Sequence, residues 1–539
     1  MHRKLLYENK KINDSISRDL IGLLDSKNIH LKLNNYDLET YLCHVKQYGL
    51  EITWANILLH VKDNGQSVFL NTSNFGELYE AGLAEIDKGN KKKSGQYYTP
   101  LDVSNLMSTW LYEQDGINIC DVGCGTGNLI ISYLELLGFE KSLELLKYKR
   151  IFLYDFDKIA VTIAKYSIAF LYGIEFLENI KVVYGDFLDK NISLPDNAKV
   201  ISNPPYAKFS MINDKWLNTK IQVSTKELYA SFMEKIINSS KSAVIITPYS
   251  FLGGSKFQPL RESLNKNNGY IVVFDNVPGS IFNGRKHGIF NSNTANSVRA
   301  AITVVENKPN IKGFKTTHLI RFKNQERKKL LKPEVLKNLL SKTTQIINKK
   351  NQMYSRCHVV LEDCFLKWKA LSTSTLLDFA TGNSGKYKIY MPNTCRYFTT
   401  ASNKELKRGG YITITFNDLD KLHFTYCLIN SSFVYWWWRI YDGGITYPKK
   451  LLNSVPIFFD LLSNKDKEFF SSIATEMMID EEKYIITKLN AGIFQENIKF
   501  PIRYRDMINQ RLLDILGCQN QLKHLDLIHS NSFFRNEEI

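Results

Sequence analysis

"INICDVGCGTGNLIISYLELLG", residues 117–138, carries a short apolar run ending at Asp121, a turn with Gly123, Gly125 and Gly127, and a segment of helical apolar spacing. The order is strand, tight turn, amphipathic helix. Glycine in such a turn adopts positive φ and lets a ligand reach the backbone with no Cβ in the way. The spacing is G-x-G-x-G, whereas dinucleotide sites use G-x-G-x-x-G, and the GK[ST] of a triphosphate loop is missing, so the turn points away from NAD and ATP.

The same alternation continues outward. The runs "RIFLYDFD" (150–157), "IKVVYGD" (180–186), "KVISNPP" (199–205), "SAVIITP" (242–248), "YIVVFDN" (270–276) and "AAITVVE" (300–306) are β-branched or aromatic and are separated by helical segments. This predicts an α/β domain with a largely parallel sheet covered by helices. In such a sheet function lies in the loops beyond the carboxyl ends of the strands. Three acids fall there: Asp121, Asp155 and Asp186, the last followed by Phe187. Asp155 is placed to accept the two hydroxyls of a ribose, with Asp157 as the competing residue. Asp186 and Phe187 offer an acceptor for an exocyclic amine beside an apolar ring, and adenosine fits the set. The structural alternative for each acid is a helix N-cap.

In "KVISNPPYAKF" (199–209) the prolines cannot donate to a sheet ladder, so Pro204 and Pro205 stiffen the chain as it leaves the strand. The loop presents Asn203, its neighbouring carbonyls and Tyr206 in the crevice. An amine conjugated to a purine is a poor nucleophile. Acceptors on both of its N–H groups, here Asn203 Oδ1 and the Pro204 carbonyl, favour a pyramidal nitrogen whose lone pair faces an electrophile. Tyr206 is placed to stack on a flipped base, a contact worth roughly 1–3 kcal/mol. No metal is needed, because the sulfonium of S-adenosylmethionine is a good leaving group.

At these residues the chain resembles the N6-adenine DNA methyltransferases of the gamma class, in which cofactor motifs precede the catalytic motif and a target-recognition domain follows. The segments "GQYYTP" (95–100), "DVGCGTG" (121–127), "YDFD" (154–157), "GDF" (185–187), "NPPY" (203–206) and "IFNGRKHGIFNSNTANSVRAAITVV" (281–305) stand in the family's order. The resemblance implies a Rossmann-like S-adenosylmethionine-dependent fold with S-adenosyl-L-homocysteine as product. Tyr97, Thr99, Pro100, Asp121, Gly123, Gly125, Gly127, Asp155, Asp186 and Phe187 would hold the cofactor. Asn203, Pro204, Pro205 and Tyr206 would be catalytic, with Phe282 the second aromatic on the flipped base and Phe290 its alternative. It implies double-stranded DNA as substrate and a bacterial or phage-type setting, and it allows a separately encoded restriction endonuclease.

The rest of the chain divides by composition. Helical spacing marks a lead-in over 1–90, the catalytic domain covers 91–310, and a basic connector runs through 311–349. A mixed α+β target-recognition domain is expected over 350–460, and a helical region over 461–539. In the recognition domain the turns "TGNSGKYKIY" (381–390) and "NKELKRGGYIT" (403–413) suit base contacts. Arg439, Lys449 and Lys450 suit phosphate contacts, while Trp436, Trp437 and Trp438 read as core.

Seventy Lys+Arg against 54 Asp+Glu give a formal charge of +16, which favours a polyanionic partner. The eight cysteines are scattered without zinc spacing, as in a reducing cytosol. No segment reads as a signal peptide or membrane span. The protein is therefore expected in the cytoplasm with no membrane partner. A protein-glutamine N5-methyltransferase would use the same "NPPY" chemistry, but leaves the last 200 or so residues and much of the charge without a role. Cytosine N4 methylation more often goes with serine in place of Asn203. A fused nuclease is disfavoured by the lack of its motif in the first 90 residues.

Overall fold

The computed structural model describes residues 24, 38–64, 75–86, 99–282, 298–306, 313–344, 354–382, 385–444, 446–490 and 492–532. Eight strands form the central sheet: β1 (Asn118–Val122), β2 (Ile151–Asp155), β3 (Lys181–Tyr184), β4 (Ala198–Ser202), β5 (Ser242–Pro248), β6 (Asn268–Phe274), β7 (Ala300–Glu306) and β8 (Gly313–Thr316). Their order is β3-β2-β1-β4-β5-β7-β6-β8. All neighbours are parallel except β7, which runs antiparallel to both β5 and β6. The seven runs seen in the sequence correspond to β1–β7. The reversed direction of β7 was not legible, because a buried strand looks the same either way round.

Parallel strands covered on both faces read as unbroken apolar runs, and the reason is visible in how their side chains divide. Ile119, Leu153, Ile201 and Val244 enter one core, while their neighbours Cys120, Phe152, Val200 and Ile245 enter the other. The helices Leu101–Tyr112, Asn128–Leu137 and Lys158–Tyr172 close the first core, and Leu228–Ser239 closes the second. The N-terminal helices Leu38–Asn64 and Phe75–Ile86 also join the first core, through Tyr41, Trp54, Phe75 and Tyr79.

Residues 311–349, expected as a connector, supply β8 at the sheet edge and a helix, Pro333–Ser341, that buries Leu336 and Leu339 in the first core. Beyond 356 a separate hydrophobic core begins. It runs from Cys357 to Leu525, so residues on both sides of position 460 share it. Its centre is the helix Ser432–Tyr441, with Trp436, Trp437 and Trp438 buried as a core reading requires. Among the described residues, three antiparallel pairs lie wholly in this part: Ser374–Thr375 with Pro456–Ile457, Tyr387–Pro392 with Tyr411–Phe416, and Ile485–Asn490 with Ile493–Ile498, while Cys357–His358 pairs back to Thr343–Thr344.

The expected phosphate contact of Arg439 is not made by this structure, because its guanidinium faces inward. Asp275, just past β6, is fully buried and binds Arg299 Nε (2.8 Å), Arg321 (2.9 Å) and Arg439 Nη1 (3.0 Å). Arg439 also donates to the Leu319 carbonyl at 2.7 Å. Burial pushes the Asp275 carboxyl up, and the three guanidiniums outweigh it and hold it below the usual carboxylate range. A depressed carboxyl stabilises the fold above its unfolded value near 4 and loses that contribution as pH falls through the folded value.

Replacing the acid while leaving three cations buried is the costly change. Asp275→Asn should lower the unfolding free energy by about 3–5 kcal/mol in urea titrations at neutral pH. A variant within about 0.5 kcal/mol of wild type would show that the cluster does not join the two parts.

Candidate active site

Strand order reverses at β1, which has β2 on one side and β4 on the other. The loops leaving β1 and β4 therefore diverge, and a crevice opens between them. A cavity of about 760 Å³ lies there. Of the residues singled out in the sequence, Thr99, Gly123, Gly125, Asp155, Asp157, Asp186, Phe187, Asn203 and Pro205 line it.

The glycine turn has three different jobs. A Cβ at Gly123 would meet the Asn203 carbonyl at 3.5 Å, an ordinary contact, so what the turn asks of this residue is its left-handed φ of +71°. Gly125, at φ +51°, faces open space and is the place where a ligand can approach the backbone. Gly127, at φ +89°, is needed for packing, since a Cβ would sit 2.9 Å from the Ala164 methyl carbon.

Asp121 lies beneath this turn and away from the cavity wall. Its Oδ2 accepts from the Ile130 amide at 3.1 Å, and burial raises its carboxyl to about 8. It underpins the turn by holding the first turn of the following helix. Asp155 accepts from the Gly125 amide at 2.7 Å and from the Asp157 amide at 2.9 Å. Burial raises it to about 6 against these hydrogen bonds. Asp157 takes the N-cap alternative: it accepts from the Ile159 and Ala160 amides, and the Tyr79 hydroxyl donates to its other oxygen at 2.5 Å. Both acids line the cavity, but both oxygens of Asp157 are taken up by the helix amides and Tyr79.

At the far end, Asp186 accepts from the Leu188 amide at 3.0 Å and from Trp216 Nε1 at 2.7 Å. Phe187 packs edge-to-face on Tyr154, and the Lys235 ammonium lies 4.8 Å from its ring centre. Lys235 also donates to the carbonyls of Phe187 and Asp189 at 2.5 and 2.7 Å, fixing this loop.

At the β4 end, the Ser202 hydroxyl donates to the Val122 carbonyl at 2.6 Å and ties the two strand ends together. Asn203 Nδ2 donates to Thr99 Oγ1 at 2.9 Å, which fixes the rotation of the amide. The Tyr206 hydroxyl donates to the Ile246 carbonyl at 3.1 Å, and its ring meets Phe282 edge-to-face with centroids 6.1 Å apart. Tyr206 and Phe282 are thus neighbours, in contact with each other with no slot between them. Tyr97 and Phe290 lie outside the described residues.

Sequence reading missed several wall residues. Phe156 sits between the two weighed acids, is 56% exposed and lines the cavity. An aromatic displayed at a strand end was the available signal. Trp216 and Phe209 come from a polar loop with no periodicity, and Tyr79, Glu80 and Leu83 come from the N-terminal helix. Those residues are brought in by tertiary packing. Among the described residues no group of three His, Cys, Asp or Glu side chains is placed to hold a metal ion.

The sheet, with its one reversed strand and a ligand crevice at β1/β4, is a Rossmann-like fold of the S-adenosylmethionine-dependent methyltransferase type. The N-6 DNA methylase family model matches residues 71–355, more than half of the chain, and the chain belongs to that family. It is similar to the methylase subunit of the type I restriction enzyme MpnII from Mycoplasma pneumoniae, with 26% identity over 164 residues, covering 28% of this chain and 29% of the relative. It is also similar to the MjaVIII methylase subunit from Methanocaldococcus jannaschii, with 28% identity over 179 residues, 30% of this chain and 29% of the relative. The match thus spans under a third of either curated relative. Among solved structures, the DrdV–DNA complex aligns with 98% of this chain and 80% of its own at 10% identity and a TM-score of 0.47. The ATP-dependent Type ISP restriction-modification enzyme LlaBIII bound to DNA aligns with 98% and 53% at 11% identity and 0.47.

Gly127→Ala should cost the left-handed backbone penalty of about 1–2 kcal/mol plus about 1–3 kcal/mol from the collision with Ala164. Gly125→Ala lacks that collision and should cost no more than the left-handed backbone penalty of about 1–2 kcal/mol. Urea titration of the pair checks this, and equal losses would contradict the division of roles.

Proposed function

We propose that this chain is a site-specific DNA methyltransferase that moves a methyl group from S-adenosylmethionine to N6 of an adenine flipped out of double-stranded DNA, as the modification part of a restriction–modification or related system. The observation that carries the reading is one cavity lined both by Asp155, Asp186 and Phe187, a set suited to a nucleoside, and by Asn203 and Pro205 of the "NPPY" loop. Its volume lies within the usual range for a cofactor site of roughly 300–1,000 Å³. Gly125 leaves open space where a side chain would otherwise stand, so the residues present fit the cofactor.

In this reading Asp155 accepts the ribose hydroxyls, while Asp186 gives up its bond from Trp216 to accept the adenine amine. The bound cofactor supplies an electrophilic methyl group on sulfur. Asn203 Oδ1, oriented by the Nδ2–Thr99 bond, and the Pro204 carbonyl accept from the two N–H groups of the target amine. They would hold its lone pair toward the cofactor's methyl group and share the positive charge the nitrogen gains as the methyl group leaves sulfur, until one N–H proton passes to solvent. Tyr206, pinned through its hydroxyl, offers a fixed stacking face, and Phe282 separates from it to admit the base. Flipping is required because N6 is not accessible inside a stacked duplex. The +16 charge supplies the non-specific attraction to phosphate, and the hairpin Tyr387–Pro392/Tyr411–Phe416 with its flanking turns is assigned to base reading.

Asn203→Ala should lower methyl transfer by about 100-fold or more while cofactor affinity stays, because its acceptor acts on charge developed in the transition state. Wild-type turnover in this variant would remove the catalytic assignment. Cofactor affinity, measured by calorimetry, should weaken as pH falls through about 6, since protonating Asp155 removes an acceptor for the ribose. Asp155→Asn should bind weakly at all pH values and lose that dependence; a retained dependence would move the role to another group.

A further inference from the structure

We propose that Arg327 is a positioning residue that sets the spacing between the two sides of the base pocket, Phe282 and Asn203. The proposal rests on the base-pocket reading above and deepens it. Arg327 belongs to the basic stretch that sequence alone treats as a connector with a solvated face. Lys328 and Lys329 beside it are exposed, but the Arg327 side chain is turned inward and is only 12% exposed.

Its guanidinium is shared between two segments that are far apart in sequence. On one side Nε and Nη2 form a fork onto Asp102, at 2.5 and 2.8 Å. Asp102 lies in the first turn of the helix Leu101–Tyr112, directly after Thr99 and Pro100, and Thr99 is the residue that accepts from Asn203 Nδ2. On the other side Nη1 donates to the Ser280 carbonyl at 2.7 Å and Nη2 to the Ile281 carbonyl at 2.6 Å, the two residues before Phe282. One planar group therefore spans from the segment that orients the catalytic amide to the backbone that carries the second aromatic ring.

The loop before Phe282 is fixed at its other end as well. Asp275 is held by three arginines, and the Gly279 amide donates to the Phe322 carbonyl at 2.8 Å. Among the described residues, Arg327 is the side chain that bonds both to the last residues of the loop and to the segment following Thr99. A lysine has a single ammonium and cannot make the fork to Asp102 and both carbonyl bonds in the same geometry, so this site separates arginine from lysine.

The test uses the full chain with unmethylated plasmid DNA and S-adenosylmethionine labelled on its methyl group, comparing wild type, Arg327→Lys, Phe282→Ala and the double variant. Arg327→Lys should reduce kcat on the order of 10- to 100-fold, as for misplacement of a reacting group by about 1 Å. Its KM for the cofactor should stay within a factor of about two, because Asp155, Asp186 and Phe187 are untouched. The two substitutions should be non-additive, with Arg327→Lys adding little to Phe282→Ala. A kcat equal to wild type, additive losses, or parallel losses in kcat and cofactor affinity together with a lowered Tm would overturn the proposal. If Phe282→Ala alone turned over normally, the base-pocket reading would fail with it; if Phe282→Ala were slow and Arg327→Lys fast, only the role of Arg327 would fail.

Discussion

The position of β1 between β2 and β4 is the constraint on which the site depends. Because the chain leaves β1 toward one face and β4 toward the other, the crevice between them is a consequence of strand order and needs no special loop to create it. The Ser202–Val122 hydrogen bond fixes the two strand ends, and the left-handed backbone at Gly123 turns the chain beside the Asn203 carbonyl. In the proposed function the same backbone geometry brings cofactor and target chemistry together. The side chains then refine it: Asp155 through the Gly125 amide, and Asn203 through Thr99.

A second constraint links this domain to the C-terminal part. A carboxylate fully out of water is tolerated at Asp275 because three guanidiniums surround it, and those arginines come from β7's approach, from the segment after β8 and from the tryptophan-rich helix. The C-terminal core is thereby fastened to the loop that leads to Phe282. In the proposed function this matters because a protein that reads a sequence and modifies one base within it must hold its reading surface and its catalytic pocket at a fixed separation.

Much of the catalytic half was legible. The β1 turn, the acids at the ends of β2 and β3 and the "NPPY" loop after β4 are local patterns, and local patterns survive in sequence because each residue's backbone requirement is its own. Roles that depend on what packs overhead were not legible. Asp121 and Asp155 both end strands, but Asp121 is turned away from the cavity while Asp155 lines it; Asp157 lines it as well, with its carboxylate spent on a helix cap. Arg439 sits in a basic, aromatic segment that looked fit for phosphate, and only the fold shows Asp275 waiting for it. Trp216 and Lys235 were missed for the same reason, since a loop aromatic or a helix lysine has no period to announce its neighbours.

The central claim is that the crevice methylates adenine in DNA. Its most direct test is to incubate the purified chain with S-adenosylmethionine labelled on the methyl group and plasmid DNA free of prior methylation, digest the DNA to nucleosides and identify the labelled species. Label in N6-methyladenine is the predicted result. Unlabelled DNA, with label instead in added protein or in another base, would contradict it.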